Sequence, residues 1–298
     1  INMKHSFKEW MIAVRPWSFP ASAMPVLVTL AFLNYAGYEM NWWYGVWALF
    51  NIVVFHAAGN TWSDYFDYKK GVDREDTFGA KTLTDGMFTP KEIYRLSLGL
   101  LTVALLGGIG LMLCTGLPLL YVGIGGMLCT LLYPMLKFNA LGDADIFCAY
   151  AILPMLGTSF VATGAFHYEV LWNAIPVGLI TVGILHANNT RDMQHDKRAN
   201  IKTFAMLMGN KASAYAYCFE MVFPFVWVIG CIVAGVLPYY SLLVLVALMP
   251  ALKNASMAIK FLKEGMTAIA NLDELTAKLQ LIFSLLLTIS LFVAYFIG

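Results

Sequence analysis

The sequence has few charged residues. Asp, Glu, Lys and Arg make up only 12% of its 298 residues, whereas a soluble domain carries about 25%. The 19 basic and 18 acidic residues nearly cancel, and a net charge of +1 excludes the strongly basic surface of a nucleic-acid-binding protein. Cysteine is also scarce. All five cysteines lie in apolar runs without metal-ligand spacing, which argues against disulfides and a thiolate metal site.

Hydrophobic residues, at 60%, fill most of the chain. Apolar runs long enough to cross a bilayer recur throughout the sequence, with no strand-like alternation between them. Nine runs are predicted to span the membrane: 17–36, 42–62, 92–114, 118–136, 145–164, 170–189, 212–235, 239–258 and 279–297. The sequence therefore predicts an all-α integral membrane protein, in which residues 1–298 form a single domain built as a bundle of nine transmembrane helices.

Lys and Arg are absent from every second loop of this predicted topology. The loops without them lie near 37–41, 115–117, 165–169 and 236–238. All 19 Lys and Arg residues fall on the other side of the membrane. Because cytoplasmic loops are enriched in basic residues, we expect a cytoplasmic N-terminus and an outside C-terminus. The expected location is the cell inner (cytoplasmic) membrane.

Two segments carry acids at helical spacing, each preceded by asparagine: Asn60, Asp64 and Asp67 in the first, and Asn188, Asp192 and Asp196 in the second. Each segment follows an apolar run and opens a long inner loop, expected at about 63–91 and 190–211, so the two halves of the chain form a weak internal repeat. Carboxylates stacked on adjacent helical turns repel each other. Their repeated occurrence indicates a cation site facing the cytoplasm rather than two solvated helix ends.

The residue types in these segments indicate the kind of ligand. Oxygen donors without a nearby Cys or His ligand favour Mg²⁺, which binds a few carboxylates together with substrate phosphates. His195 is adjacent to Asp196 but off the acidic stripe, and it is expected to be a surface residue. An anionic head bound at the membrane surface, in front of apolar helices, suggests a prenyl diphosphate. In such a site, metals and cations stabilise the departing diphosphate while an electron-rich acceptor attacks the allylic carbon.

Several segments, in order, resemble the UbiA superfamily of intramembrane prenyltransferases, and most closely its 1,4-dihydroxy-2-naphthoate polyprenyltransferase branch. They are residues 15–20 (RPWSFP), 59–73 (GNTWSDYFDYKKGVD), 133–137 (YPMLK), 141–143 (LGD) and 188–196 (NNTRDMQHD), followed by Lys202 and Thr203. One position departs from the pattern. Many relatives have Asn immediately before the first Asp of the first motif, and this chain has Ser63.

The resemblance implies roles for individual residues. Asp64, Asp67, Asp192 and Asp196 would hold Mg²⁺ bound to the diphosphate, and Asn60 and Asn189 would support that metal shell or the acceptor. Lys81, Tyr133, Lys137, Arg198 and Lys202 would contact the diphosphate or help it to ionise. Arg15 would meet an acidic group of the acceptor or serve as an ordinary interfacial anchor.

The resemblance also implies the reaction, which is Mg²⁺-dependent transfer of a polyprenyl group to an aromatic quinone precursor. Dihydroxynaphthoate, which loses its carboxyl group as CO₂, is the first acceptor to consider, within menaquinone biosynthesis. Other acceptors stay open: 4-hydroxybenzoate, homogentisate, haem precursors or a glycerol-phosphate lipid. A lipid-linked carrier is less favoured, because transporters place ionisable residues near the bilayer midplane. Glu220 is the one acid deep inside a predicted span, and the sequence suggests no partner for it.

Overall fold

The computed structural model describes residues 5–71 and 82–297, which are helical almost throughout. The α-helices in chain order are α1 Phe7–Val14, α2 Pro20–Tyr35, α3 Trp42–Lys70, α4 Pro90–Thr115, α5 Leu119–Phe138, α6 Gly142–Phe147, α7 Leu153–Thr163, α8 Leu171–Arg198, α9 Phe204–Val233, α10 Leu248–Glu264 and α11 Leu272–Ile297. Short 3-10 turns precede α2, α8, α10 and α11. The expectation of an all-helical membrane protein is confirmed.

A helix lies at each of the nine predicted spans, but not all of them meet the criteria for crossing a membrane. Seven helical segments of the described chain are long and apolar enough, and α1 with α2 adds one more when this pair, bent by 49°, is taken as a single span. Helix α3 is long enough at 29 residues but is not among these segments, because Trp, Tyr, Asn51 and His56 lower the hydropathy of its apolar part. The count of nine spans and the orientation of the termini therefore stay predictions.

The helices that carry the acidic segments extend beyond their apolar runs. Helix α3 continues to Lys70, where Gly71 adopts a left-handed conformation with φ 72° and ends it. Helix α8 continues to Arg198. The expected loops at 63–91 and 190–211 thus begin with several helical turns, because hydropathy detects only the apolar part of a helix that projects into water. Helix α4 restarts after Thr89 with a capping box to Glu92 and Pro90 in its first turn.

A stretch of π-helix connects α6 to α7. Residues Cys148–Ile152 carry the π geometry, and the segment Gly142–Thr163 is long and apolar enough to form one span. Such π turns displace side chains from the regular helical positions and are frequent at functional sites. Here the π turn carries Tyr150, which lines the cavities described below.

Helix α8 is central to the bundle and packs against α6, α9 and α11. Its core side chains Val177 and Ile180 are fully buried together with Met221 of α9 and Phe283 of α11. Small residues permit this close approach: a Cβ at Gly178 would lie 2.6 Å from the ring of Phe147. Tight packing around α8 fixes the direction in which its acidic face points.

Candidate active site

The first acidic segment occupies the last turns of α3. Asp64 and Asp67 are buried, although they lie near the polar end of the helix. Asn60, one turn earlier, donates from Nδ2 to the Val14 carbonyl at 3.0 Å and to Ser18 Oγ at 3.0 Å. Asn60 therefore ties α3 to the segment that joins α1 and α2.

The second acidic segment occupies the last turns of α8. Asn189 and Asp196 are buried and Asp192 is half-buried. These three residues and the two aspartates of α3 line one cavity of about 670 Å³. Two segments separated by more than a hundred residues therefore face a shared space at one end of the bundle.

Basic side chains neutralise three of the four predicted metal-binding aspartates. Arg15 forms an ion pair with Asp64. Lys137 Nζ lies 3.1 Å from Asp67 Oδ2, and its charge also acts on Asp196. Arg15 reaches the cavity because it adopts a left-handed backbone conformation, with φ 56°, where the chain turns from α1 towards α2.

Arg191 holds the third of these aspartates. Its Nε and Nη2 donate to the Asp192 carboxylate at 2.9 and 3.0 Å, a two-pronged geometry that only arginine provides. Its Nη1 donates to Asp273 at 2.8 Å and to the Ala270 carbonyl at 3.2 Å. Arg191 thereby fixes the Asp192 carboxylate and ties it to the N-terminus of α11.

The donor set fits a hard cation that is shared with an anionic ligand. Asp67 Oδ1 is buried and has no hydrogen-bond partner among the described residues, so it has an oxygen lone pair to offer. Within residues 5–71 and 82–297, no three His, Cys, Asp or Glu side chains are placed to hold a metal ion. The acids instead form pairs on facing helices, and Mg²⁺ commonly binds one or two carboxylates and completes its shell with water and substrate phosphates.

The other predicted site residues differ in position. Tyr133 and Lys137 of α5 line the cavity, and so do Asn60, Asn189 and Arg15. Arg198 and Lys202 are exposed and do not line it. Arg198 is the last residue of α8, and the Lys202 backbone N–H donates to the Phe138 carbonyl at 3.2 Å, beside the end of α5. Lys81 lies outside the described residues.

A second cavity, of about 320 Å³, lies deeper in the bundle among α3, α4, α5 and α7. Its lining is mostly apolar, with side chains such as Phe55, Leu105 and Val161. Five residues line both cavities: His56, Gly59, Thr130, Ala149 and Tyr150. A polar compartment at the end of the bundle therefore adjoins an apolar one within it, and a molecule with a charged head and an apolar tail could occupy both.

The profile of the UbiA prenyltransferase family matches residues 22–268. The chain belongs to this family. The matched region includes both acidic segments and most of the residues that line the cavity, so the family expected from the sequence is confirmed.

Relatives and solved structures of the UbiA family agree with this assignment. The chain is 31% identical over 230 residues to UbiA prenyltransferase domain-containing protein 1 of Xenopus tropicalis, covering 75% of this chain and 66% of that protein. It is 34% identical over 229 residues to the Drosophila melanogaster homolog, covering 73% and 63%. The chain thus spans about two thirds of the length of these relatives.

Two archaeal UbiA homologs share the fold. The apo structure from Aeropyrum pernix superposes with a TM-score of 0.70 at 14% identity, covering 92% of this chain and 97% of that one. The Archaeoglobus fulgidus homolog bound to GPP and Mg²⁺ superposes with a TM-score of 0.59 at 13% identity, covering 93% and 99%. The names of these animal relatives do not mention dihydroxynaphthoate. Membership of the dihydroxynaphthoate branch therefore stays a prediction.

The structure adds cavity residues to this UbiA site that sequence reasoning missed. His56 lies one turn before Asn60 on the same face of α3, and this spacing could have identified it. Tyr150 depends on the π turn and Gln280 on the packing of α11, and no local sequence signal marks either residue. His195, expected at the surface, lines the cavity. Glu220 has a partner in His186, whose Nδ1 lies 2.8 Å from Glu220 Oε1, away from the cavity.

Proposed function

We propose that this UbiA family member transfers a polyprenyl group from a prenyl diphosphate to an aromatic quinone precursor and uses Mg²⁺ to do so. One observation carries the proposal. Two pairs of aspartates, on α3 and α8, line one cavity, and that cavity shares its inner wall with an apolar one. Such a site matches a substrate with a multiply charged head and a hydrocarbon tail.

The diphosphate head occupies the polar cavity in this proposal. Asp64, Asp67, Asp192 and Asp196 hold Mg²⁺, which when bound neutralises diphosphate charge and stabilises it as a leaving group. Lys137 contributes a further positive charge from the side of α5. The Archaeoglobus fulgidus homolog bound to GPP and Mg²⁺ supports this assignment, since its fold is the same.

The prenyl tail occupies the apolar cavity. The five residues shared by the two cavities mark where the allylic carbon would lie, between the metal-binding acids and the hydrocarbon. Apolar walls exclude water from this point, so that a cation-like carbon meets the acceptor before it meets water. Gly59, one of the five shared residues, adds no side chain to this passage.

An aromatic acceptor fits the remaining polar groups of the cavity, and 1,4-dihydroxy-2-naphthoate is the first candidate. The resemblance of residues 59–73 and 188–196 to the dihydroxynaphthoate branch supports it. Arg15 lies in the cavity wall beside Asp64, where it can meet an acceptor carboxylate. The acids lie at helix ends, which favours a surface enzyme over a carrier with a midplane site. By the positive-inside rule, the cavity opens to the cytoplasm.

A membrane assay tests this function. Membranes containing the protein receive one radiolabelled prenyl diphosphate, Mg²⁺ or EDTA, and a panel of acceptors that includes dihydroxynaphthoate, 4-hydroxybenzoate, homogentisate and a glycerol-phosphate lipid. We expect a labelled product with dihydroxynaphthoate that disappears with EDTA. Asp64→Ala and Asp192→Ala should abolish turnover while the protein still folds.

Glu39→Ala provides the matched control, because Glu39 is an exposed acid in the loop between α2 and α3 and does not line the cavity. It should retain wild-type activity. If a product forms only with an acceptor other than dihydroxynaphthoate, the enzyme belongs to another branch of the family. No product with any acceptor, or full activity of Asp64→Ala, would overturn the proposal.

A further inference from the structure

Two polar side chains in the cavity wall have hydrogen-bonding capacity that the protein does not use. They are His56 of α3 and Gln280 of α11, both buried and both lining the 670 Å³ cavity. Neither is part of the acidic segments. Buried polar groups are nearly always hydrogen-bonded, so each exception asks for an explanation.

The surroundings of His56 define which of its ring nitrogens carries hydrogen. Nδ1 lies 2.9 Å from Ser22 Oγ, and Nε2 lies 3.4 Å from Ser18 Oγ. Both serine hydroxyls already have a carbonyl acceptor: Ser22 donates to Phe19 at 3.0 Å and Ser18 to Arg15 at 2.8 Å. A serine has one hydroxyl hydrogen, so neither Oγ has a hydrogen left to donate to the imidazole.

A neutral imidazole has one N–H, and the shorter contact assigns it to Nδ1, which donates to Ser22. Nε2 then holds a lone pair. Ser18 does not satisfy that lone pair, because its hydrogen points to the Arg15 carbonyl and its Oγ already accepts from Asn60 at 3.0 Å. The His56 ring thus presents an unused acceptor at the wall shared by the two cavities.

Gln280 is a stronger exception. Its side chain is 1% exposed, and neither Oε1 nor Nε2 has a hydrogen-bond partner among the described residues. Leaving a buried amide unsatisfied costs about 1–3 kcal/mol, and an apolar residue would fit the membrane interior better. Gln280 lies on the same face of α11 as Asp273 and Ala277, which also line the cavity. A ligand in the cavity that reaches this amide would satisfy it.

We propose that His56 and Gln280 form the acceptor subsite, in which His56 Nε2 accepts the hydrogen of an aromatic hydroxyl and the Gln280 amide binds a second oxygen of the same ring. The inference rests on the proposed function and names residues for its acceptor. A ring that carries two oxygens, as hydroquinones and dihydroxynaphthoates do, satisfies both side chains.

The position of His56 suits this role. It lies two turns before Asp64 on α3, about 12 Å along the axis at 1.5 Å per residue, among the residues shared by the two cavities, where the proposed function places the allylic carbon of the donor. The His56 ring meets the Tyr150 ring edge-on at a centroid distance of 4.9 Å and the Phe19 ring at 5.7 Å. His56 and Tyr150 both line the cavity and offer flat surfaces against which an acceptor ring can pack.

In the proposed reaction, the bond between the allylic carbon C1 of the donor and the diphosphate oxygen breaks, and its electron pair leaves with the diphosphate. The acceptor hydroxyl gives its proton to His56 Nε2 while the ring carbon uses a π electron pair to bond C1, which leaves a keto group on the ring. When that carbon carries a carboxylate, CO₂ departs and its bonding electrons restore the aromatic ring. The phenolate oxygen then recovers the proton from the imidazolium.

Substitution of His56 tests the proposed contact between its Nε2 and the acceptor hydroxyl. His56→Phe keeps the ring stacking and removes the acceptor nitrogen. Removal of a general base costs about 10²- to 10⁴-fold in rate, and we expect a loss of that size in kcat with a hydroxylated acceptor. An acceptor whose hydroxyl is methylated has no proton to give, so wild type and His56→Phe should use it at equal, low rates. Mg²⁺-dependent binding of labelled prenyl diphosphate should be unchanged.

His167→Phe, in the loop before α8 and outside both cavities, controls for the loss of an imidazole and should behave as wild type. Ser22→Ala should lower the rate by about tenfold, since it removes one hydrogen bond that fixes the tautomer. Equal losses with the hydroxylated and methylated acceptors, or a loss of donor binding, would mean that His56 only supports the fold.

Substitution of Gln280 gives a readout that a structural role would not produce. Gln280→Leu removes the unsatisfied amide, so the melting temperature should stay the same or rise. The KM for the acceptor should rise about tenfold, the effect of one lost hydrogen bond of ordinary strength, while donor binding is kept. A lower melting temperature with an unchanged KM would overturn the assignment of Gln280.

Failure of the inference can be told apart from failure of the proposed function. If wild type prenylates an aromatic acceptor and both variants do so equally well, the acceptor subsite is wrong and the enzyme assignment stands. If wild type prenylates no aromatic acceptor but does prenylate a glycerol-phosphate lipid, the aromatic function fails, and the acceptor subsite fails with it.

Discussion

At the residue scale, the site consists of acids that the protein has already paired. Arg15, Lys137 and Arg191 each hold one of the metal-binding aspartates. These pairs offset the cost of placing carboxylates inside the protein, because an isolated charge would be too costly to bury. When an anionic ligand enters with its metal ion, the metal can bind the aspartates. The basic side chains, which already lie in the site, can then pair with the anion. Arg191 differs from the other two, since its contacts with Asp192, Asn188 and Asp273 use most of its donors.

Arg191→Lys should therefore weaken Mg²⁺ binding without removing a positive charge. A lysine cannot hold Asp192 with two parallel bonds and reach Asp273 at the same time. Loss of a group that orients a metal ligand costs about 10- to 100-fold in metal affinity. The measurement is a Mg²⁺ titration of labelled prenyl diphosphate binding. Arg95→Lys, on the exposed face of α4, is the control, and an unchanged Mg²⁺ requirement in Arg191→Lys would contradict the role.

At the element scale, α8 has two polar faces with different tasks. One face carries Asn189, Asp192 and Asp196 towards the cavity. The other carries His186 and Thr190, which form a buried hydrogen-bonded chain with α9: Thr190 Oγ1 to Ser213 Oγ at 2.6 Å, Ser213 Oγ to His186 Nε2 at 2.8 Å, and His186 Nδ1 to Glu220 Oε1. This chain sets the rotation and height of α8 against α9, and so aims the acidic face.

Glu220→Leu should destabilise the protein, because it leaves His186 unpaired in the bundle interior. A stranded buried polar group costs about 1–3 kcal/mol, and the measurement is thermal or denaturant unfolding in detergent. Glu220→Gln, whose amide oxygen can still accept from His186, should lose less. If Glu220→Leu is as stable as wild type yet inactive, Glu220 has a functional role that the hydrogen bonds do not explain.

At the scale of the whole molecule, the predicted metal-binding aspartates and the basic side chains that pair with them meet at one end of an apolar bundle. Arg15, the C-terminal turns of α3 and α8, the end of α5 and the start of α11 all meet at the 670 Å³ cavity. Basic residues of the predicted inner loops lie at some of these helix ends, such as Lys69 and Lys70 on α3 and Lys197 and Arg198 on α8. The cavity should thus open to the cytoplasm, with the short loops such as 37–41 on the other side.

Cysteine labelling tests this orientation. In a background with the five native cysteines replaced, Glu39→Cys should react with a membrane-impermeant maleimide in intact cells. Lys91→Cys, at the exposed start of α4, should react only after the membrane is permeabilised. The reverse pattern would invert the topology and place the active site on the outer face.

The sequence predicted the family, the helical bundle and the convergence of its acidic segments, because hydropathy and a 3.6-residue stripe are local signals. It could not assign Arg191 to Asp192 and Asp273, because that contact depends on how α11 packs against α8. The family resemblance also assigned Arg198 and Lys202 to the diphosphate, whereas both side chains are exposed and do not line the cavity. His56 and Gln280 could be identified only from the structure, because it shows which residues line the cavity and which hydrogen bonds they make.

A double-mutant cycle across the cavity tests the central claim, that α3 and α8 grip one magnesium–diphosphate group together. The affinity of geranyl diphosphate in the presence of Mg²⁺ is measured for wild type, Asp67→Asn, Asp196→Asn and the double variant. Residues that share one ligand couple by about 0.5–3 kcal/mol, while independent sites add within about 0.5 kcal/mol. We predict coupling well above that limit. Strict additivity, or binding that survives in the double variant, would contradict a shared site.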